Sequence, residues 1–379
     1  MVKILLSTPV FRPMVGGMET MANNLAIHFT ERGYDVTLVT PIRSKEPDEL
    51  PYRIVRAPSF SVFLELARQT DLIFSNGASL YAAPYAILTG KPVIMRHTNY
   101  VVSSVDGAGW FDGKLAPLTP GASIVHHFRH NKLGSAVRGA AKVISLRVFA
   151  KKFVARNVAI SDWMMKRHPL PNQVRIHNPF PIVKFVEAIN HGGNYEYDFF
   201  YLGRLITEKG VDVLLEAFKL VQQSSGDAYT LCIIGDGPDR GRLEGIAQCT
   251  GKSAFVTFAG MQTGQALIEK VRSCKIAVLP STWEEPFGGA STELLAAGKN
   301  MIVSSDGALS EIVADGGLTF KNGDVEQLAA AMLRLAGDEV LRSTQIKNAA
   351  VRLKDFDEIR LIDQYVALIE EVLRARSRS

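Results

Sequence analysis

The stretch that most constrains the fold of this chain is an apolar run, Lys275-Ile276-Ala277-Val278-Leu279-Pro280, followed by Ser281-Thr282-Trp283-Glu284-Glu285-Pro286-Phe287-Gly288-Gly289 and an alanine- and leucine-rich segment from Thr292. A continuous rather than alternating apolar run reads as a parallel strand buried on both faces, and the segment after it reads as a helix. The turn between them therefore opens a helix at the carboxyl end of a strand, the unit from which open α/β folds are built.

The residues of that turn favour a particular ligand chemistry. Gly288 and Gly289 lack Cβ atoms, so a ligand can approach the backbone closely, and the unpaired N–H groups of a helix start suit an anion such as a diphosphate. Glu285 and Glu293, eight positions apart, are left for hydroxyls. An ionised carboxylate accepts two hydrogen bonds, so Glu293, read as lying in the first helical turn, suits a vicinal diol such as a ribose, and Glu285 suits a sugar ring. The competing reading of Glu293 is structural: an acidic residue at the positive end of its own helix.

A second strand, loop and helix is Tyr201-Leu202-Gly203-Arg204-Leu205-Ile206-Thr207-Glu208-Lys209-Gly210, between an aromatic run from Tyr195 and an amphipathic stretch over 211–221. Arg204 and Lys209 are five apart, so one loop could fold both onto a diphosphate, the Arg fork taking two oxygens and the Lys acting as a point charge. The alternative is two solvated surface cations.

Near the start, Lys3 to Ser7 reads as a buried strand, 13–17 as a loop containing Gly16 and Gly17, and 18–32 as a helix with apolar Met21, Leu25, Ile27 and Phe29. This is a Rossmann-like opening, but without a Gly-x-Gly-x-x-Gly fingerprint or the acid a dinucleotide ribose needs, which disfavours a nicotinamide or flavin enzyme. Further on, Val93-Ile94-Met95-Arg96-His97 is a strand ending in Arg-His at the sheet edge where open α/β folds bind ligands. A histidine there titrates near neutrality unless its surroundings shift it.

Taken together, these segments resemble the retaining, nucleotide-sugar-dependent glycosyltransferases of family 4. The Gly-Arg-Leu…Lys-Gly loop (Gly203 to Gly210) and the Glu, seven residues, Glu signature containing Glu-Pro-Phe-Gly (Glu285 to Glu293) occur in that family's order, and the likeness runs along nearly the whole chain. The resemblance implies an α/β fold of GT-B architecture, two Rossmann-like domains with parallel sheets facing across a deep cleft. It implies that Arg204 and Lys209 hold the donor diphosphate, Glu285 the transferred sugar and Glu293 the ribose, with Gly203 and the backbone of Phe287, Gly288 and Gly289 around the donor. Gly289 stands where a leucine is commoner, which bears on the shape of the sugar pocket. His97 would contact the transferred sugar, and Gly16 and Gly17 would face donor phosphate and acceptor. Gly235-Asp236-Gly237-Pro238 looks like a strand-ending turn of the family and reads as scaffold.

The function so implied is a retaining hexosyltransferase moving a sugar from a UDP- or GDP-linked donor to an acceptor hydroxyl, a saccharide or lipid-linked acceptor in polysaccharide synthesis. No cofactor and no metal are expected, the diphosphate being neutralised by side-chain cations. The alternatives are a sugar-nucleotide epimerase or hydrolase on the same fold, or a non-catalytic sugar-nucleotide binding protein.

Length and composition agree with two domains: 379 residues with 47% apolar content exceed one ordinary core. Strand and helix patterns run to about Ile176 and resume at Tyr197, with proline- and glycine-rich linker sequence between. The expected division is an acceptor-binding domain over 1–180, a nucleotide-sugar-binding domain over 181–355, and a segment over 356–379 with Ile359, Ile362, Tyr365, Ile369 and Val372 at helical spacing. The resemblance implies that this last helix crosses back to the first domain.

Cys232, Cys249 and Cys274 are too few and too scattered for a disulfide framework or a zinc site, which fits a reducing cytosol. No signal peptide is read before the first strand, and no apolar run reaches the roughly eighteen residues that span a bilayer. The expected location is cytoplasmic, with the inner face of the plasma membrane as a peripheral site. The net charge of +5 is unevenly spread: 113–161 holds nine Lys and Arg and no Asp or Glu. That region reads as a solvated face, a surface drawn to anionic lipid, or a pocket for a phosphate-bearing acceptor. It shows no clear aromatic interleaving, so nucleic acid is not an expected partner. The loop before it, 105–122, with Trp110 and Phe111 at its centre, reads as an acceptor lid or a plain surface loop.

Overall fold

The computed structural model describes every residue except 15, 45–48, 227, 250 and 377–379. The chain divides into two units, Met1–Phe180 with Asp357–Ser379, and Pro181–Phe356. Each is built on one parallel sheet.

The first unit contains strands β1 (Lys3–Ser7), β2 (Asp35–Thr40), β3 (Arg53–Arg56), β4 (Leu72–Asn76), β5 (Val93–His97), a short hairpin β6 (Trp110–Phe111) and β7 (Lys114–Leu115), then β8 (Arg156–Ala159) and β9 (Gln173–Arg175). Its seven-stranded sheet runs β3-β2-β1-β4-β5-β8-β9. β1 pairs in parallel with both β2 and β4, Ile4 lying opposite Val36 on one side and Leu72 on the other. Because helices cover both faces, successive residues of β1 enter different cores. Ile4 and Leu6 pack with Leu25 and Phe29 of the helix Gly17–Glu31, while Leu5 packs with Phe63, Ile73 and Met95 on the other face.

The helix Glu358–Arg376 belongs to the same core as Ile4 and Leu6. Leu361, Ile362, Tyr365, Leu368, Ile369 and Val372 form its buried stripe, and the Tyr365 ring meets Phe74 edge-on at 5.8 Å. Its spacing of three and four residues places these side chains on one helix face.

The second unit contains β10 (Tyr197–Leu202), β11 (Leu231–Ile234), β12 (Val256–Gly260), β13 (Cys274–Leu279), β14 (Asn300–Ser304) and β15 (Leu318–Phe320), in the order β12-β11-β10-β13-β14-β15. Phe199 of β10 lies opposite Leu231 and Ile276, and its core includes Leu214, Phe218 and Met332 from covering helices. In both sheets the chain starts in the middle, works outward, then returns to the other side of its first strand. The switch points lie between β1 and β4 and between β10 and β13, and the carboxyl ends of the strands there form ligand-binding crevices in open α/β sheets.

Three local features differ from the sequence reading. The helix after β13 spans Gly289–Ala296, three residues earlier than Thr292. A short 3₁₀ helix, Val183–Ala188, occupies part of the linker sequence. The loop over 105–122 is organised around Asp106, whose carboxylate accepts the N–H groups of Ala108 at 2.7 Å and Trp110 at 3.1 Å and contacts the His127 ring at 3.2 Å.

Replacing Ile362, which is wholly buried, with Ala should destabilise the first unit by about 2–5 kcal/mol through lost burial and the cavity left behind. Denaturant unfolding monitored within that unit checks this, and an unchanged midpoint would show that the helix adds nothing to the core.

Candidate functional site

The second unit's switch point brings two loops side by side. β10 and β13 are neighbours, with Phe200 opposite Ala277, so the chain leaves both strands on the same sheet edge. The loop after β10 ends in the 3₁₀ turn Thr207–Lys209 and then Gly210, which has φ +65°. A Cβ at Gly210 would lie 2.1 Å from the Pro280 carbonyl oxygen, so only glycine permits the loops to approach this closely. Thr282 then fastens them, its N–H donating to the Glu208 carbonyl at 3.0 Å and its hydroxyl to the same oxygen at 3.2 Å. On the far side the Thr207 hydroxyl donates to Asp239 at 2.9 Å, and the Tyr201 hydroxyl donates to the Arg204 carbonyl at 2.8 Å.

This stitching places Lys209 against Glu285. Their side chains form an ion pair, and the Ser281 hydroxyl donates to the same carboxylate oxygen at 2.7 Å. The Lys209 ammonium also lies 5.7 Å from the Trp283 ring centre. Burial pushes the Glu285 carboxyl up, but the Lys209 charge and the hydrogen bonds from Lys209 and Ser281 outweigh it and hold the group below the usual carboxylate range. Glu285 is therefore ionised at neutral pH. Its main chain is pinned too: it bridges Gly307, and the Ala308 N–H donates to its carbonyl at 2.8 Å.

Gly288 caps the next helix with φ +86°, and a Cβ there would strike Leu309 Cδ2 at 2.3 Å. A pocket of about 120 Å³ opens between the loops, lined by Gly203, Arg204, Lys209, Glu285, Gly288 and Gly289 among others. Arg204 is exposed at its edge, and its guanidinium makes no hydrogen bond or ion pair with any described residue. Phe287 is buried against Phe356, ring centres 6.2 Å apart, so only its main chain can meet a ligand.

Glu293 departs from the sequence reading. With the helix starting at Gly289, it is past the first turn and outside the reach of the N-terminal dipole. It does not line the pocket above, and its carboxyl accepts no hydrogen bond from a described residue. Burial pushes it up to about 7, with Lys184 pulling in the opposite direction. The idea that it serves its own helix end is thereby set aside.

His97 also departs from expectation. It is fully buried at the end of β5, with Nε2 2.9 Å from Asn157 Oδ1 and Nδ1 3.2 Å from His168 Nε2, while His168 Nδ1 lies 3.2 Å from Ser103 Oγ. Burial lowers it to about 4, so it is neutral near pH 7, and neither ring nitrogen is presented to a ligand in this arrangement. Gly16 caps the helix Gly17–Glu31, and the Glu19 carboxylate lies over it, 2.7 Å from where a Cβ would stand; Gly17 faces the Phe180 ring. These three residues belong to the first unit, whereas the Arg204, Lys209 and Glu285 cluster is complete within the second.

Sequence reasoning did not single out Ser281, Trp283, Thr207 or Asp239. Ser281 sits four residues before Glu285, a spacing that offered a signal; Asp239 had none, because its partner is 32 residues away. One Asp-x-Asp triplet exists, Asp355-Phe356-Asp357, but Asp355 is paired with Arg352 at 2.7 Å and Asp357 accepts the Arg360 N–H at 2.7 Å. Among the described residues no cluster of three or more His, Cys, Asp or Glu is placed to hold a metal ion.

Comparison with known proteins adds the following. Residues 15–179 match the family model for glycosyltransferase family 4, and residues 185–352 match that for glycosyl transferases group 1. An uncharacterized glycosyltransferase of Methanocaldococcus jannaschii is 29% identical over 172 residues, 45% of this chain and 46% of the relative. The alpha-D-kanosaminyltransferase of Streptomyces kanamyceticus is 28% identical over 152 residues, 40% of this chain and 39% of the relative. The matched part thus spans less than half the length of these curated relatives. Across nearly the full chain, the crystal structure of Anabaena HepE in complex with UDP-glucose superposes with a TM-score of 0.74 at 17% identity, covering 98% of this chain and 100% of that one.

The Glu293 environment has a testable consequence for stability. Its folded value of about 7 lies above the ordinary 4.5, so the folded state holds the proton more tightly, and this contribution is lost as pH rises between those values. Replacing Glu293 with Gln should therefore raise the unfolding temperature relative to the parent at pH 8, and the gain should shrink as pH falls toward 4.5. A gain that stays constant across thermal scans at these pH values would contradict the assignment.

Proposed function

The chain belongs to the family 4 type of glycosyltransferases with the GT-B fold, and we propose that it moves a sugar, with retention, from a nucleotide diphosphate sugar to an acceptor hydroxyl. The observation that carries this reading is the uncommitted guanidinium of Arg204 beside the Lys209–Glu285 pair and the helix start at Gly288 and Gly289. Cationic side chains and main-chain N–H groups aimed at one small pocket suit a leaving diphosphate better than a neutral ligand.

In the proposed reaction the bond between the anomeric carbon and the diphosphate oxygen breaks while the acceptor oxygen bonds to the same face of that carbon. The acceptor's proton passes to the departing diphosphate. Arg204, Lys209 and the helix-start N–H groups stabilise the charge that develops on the leaving group. Glu285, kept ionised by Lys209, accepts hydroxyls of the transferred sugar and holds Lys209 in place. It is ill placed to act as a nucleophile, since one of its oxygens already receives Lys209 and Ser281. Glu293, ionised above about pH 7, would accept the ribose hydroxyls. A uridine-linked donor is supported by the likeness to a protein solved with UDP-glucose, and a saccharide or lipid-linked acceptor by the basic first-unit surface.

An epimerase or hydrolase reading would require the donor to react alone. Incubating candidate nucleotide sugars with and without acceptor saccharides separates the two, acceptor-dependent product formation supporting transfer.

Replacing Lys209 with Ala should lower kcat about 10²–10³-fold, as loss of one charge-stabilising donor does in other enzymes. Near-parental turnover in a donor-consumption assay would refute the role of Lys209. Transfer should persist when divalent ions are chelated, because side-chain cations neutralise the diphosphate. Complete loss with EDTA, restored by magnesium, would overturn metal independence.

A further inference from the structure

The acid-free stretch of the first unit folds into two helices, Pro120–His130 and Leu133–Lys152, joined by a two-residue connector. The longer helix buries Ala136, Ala140, Val143, Leu146 and Ala150 against its own unit. Yet a second apolar stripe, Leu133, Val137, Ile144 and Val148, recurs every one or two turns on a different face and stays in solvent. Val125 and Phe128 of the shorter helix are apolar and in solvent too, and all six side chains are 45% to 69% exposed. Soluble surfaces seldom leave such an ordered apolar patch bare.

The charges around the stripe are one-signed. Arg129, Lys132, Arg138, Lys142, Lys151 and Lys152 are exposed, and none makes an ion pair or hydrogen bond through its side chain with a described residue. Three other cations of the chain are committed: Arg156 to Glu371, Arg175 to Asp162, and Arg242 to Asp212 and Asp239. Helices with an exposed apolar stripe bordered by Lys and Arg lie in the plane of a bilayer interface, the apolar side chains among the upper acyl chains and the cations against lipid phosphates. No helix among the described residues is long and apolar enough to cross a membrane.

We propose that this helix pair docks the first unit onto an anionic lipid bilayer, with Val125, Phe128, Leu133, Val137, Ile144 and Val148 inserted and the surrounding cations neutralising headgroups. Charge complementarity selects lipid as the occupant. The border is one-signed and 113–161 holds no Asp or Glu, a pattern that complements a uniform layer of lipid phosphates rather than the mixed charges of a protein surface. The claim is independent of the transfer reaction, since it concerns binding alone.

The test is co-sedimentation of the full chain with phosphatidylcholine vesicles and with vesicles in which about a third of the lipid is phosphatidylglycerol. The protein should bind the anionic vesicles, and release should follow as salt rises from about 0.1 to about 1 M. Arg138→Glu with Lys142→Glu should weaken binding at least about tenfold, each basic residue near such a surface contributing about fivefold. Ile144→Ser with Val148→Ser should weaken it while leaving the salt dependence in place. Unchanged circular dichroism and an unchanged thermal shift with UDP would show that the variants are folded. Binding that is absent, equal on neutral vesicles, or indifferent to these substitutions would overturn the proposal. So would a concentration-dependent dimer abolished by Ile144→Ser, which would make a second copy the occupant.

Discussion

The close main-chain approach of Gly210 to Pro280 governs the whole site. Two loops that leave adjacent strands would ordinarily diverge as their side chains compete for space. Here the missing Cβ lets one backbone rest on the other, and Thr282 ties the contact through the Glu208 carbonyl. Once the loops are fixed, a lysine and a glutamate 76 residues apart are neighbours in a buried setting. Taking either charge out of water alone would be costly, and pairing makes their burial tolerable. The pair is thus a product of backbone geometry before it is an element of chemistry.

The two glutamates of the signature illustrate how environment separates identical side chains. Glu285 receives a cation and a hydroxyl and remains a carboxylate. Glu293, five residues past the Gly288 cap, accepts no hydrogen bond from a described residue and, raised to about 7, exchanges its proton near neutrality. A half-buried carboxyl to which no described residue donates has hydrogen-bonding capacity left unused, and a diol is the kind of group that could meet it.

Much of the fold was legible because the central strands are uninterrupted apolar runs: β1 and β13 are visible in the order of residues alone. The Arg204, Lys209 and Glu285 grouping was legible through glycines and charges at fixed local offsets. What escaped the sequence reading depended on non-local partners or on backbone conformation. The early helix start at Gly289 follows from a left-handed cap at Gly288 that periodicity does not reveal. His97 looked like a surface ligand at a strand end, but Asn157 and His168, 60 and 71 residues distant, enclose it. The ordered loop around Asp106 was hidden for a similar reason, since one acid satisfies several backbone amides that composition cannot rank.

The helix Glu358–Arg376 carries a consequence for biosynthesis. Its side chains complete a core whose other members, such as Ile4, Leu6 and Phe29, lie more than 300 residues earlier in the chain. As the polypeptide emerges from a ribosome, that core, already covered in part by Leu25 and Phe29 of the helix Gly17–Glu31, lacks the stripe of the last helix until the second unit has been made in full. The second unit, contiguous in sequence, has its whole core at hand as soon as it is made, whereas the first unit's core is finished only by the segment synthesised last.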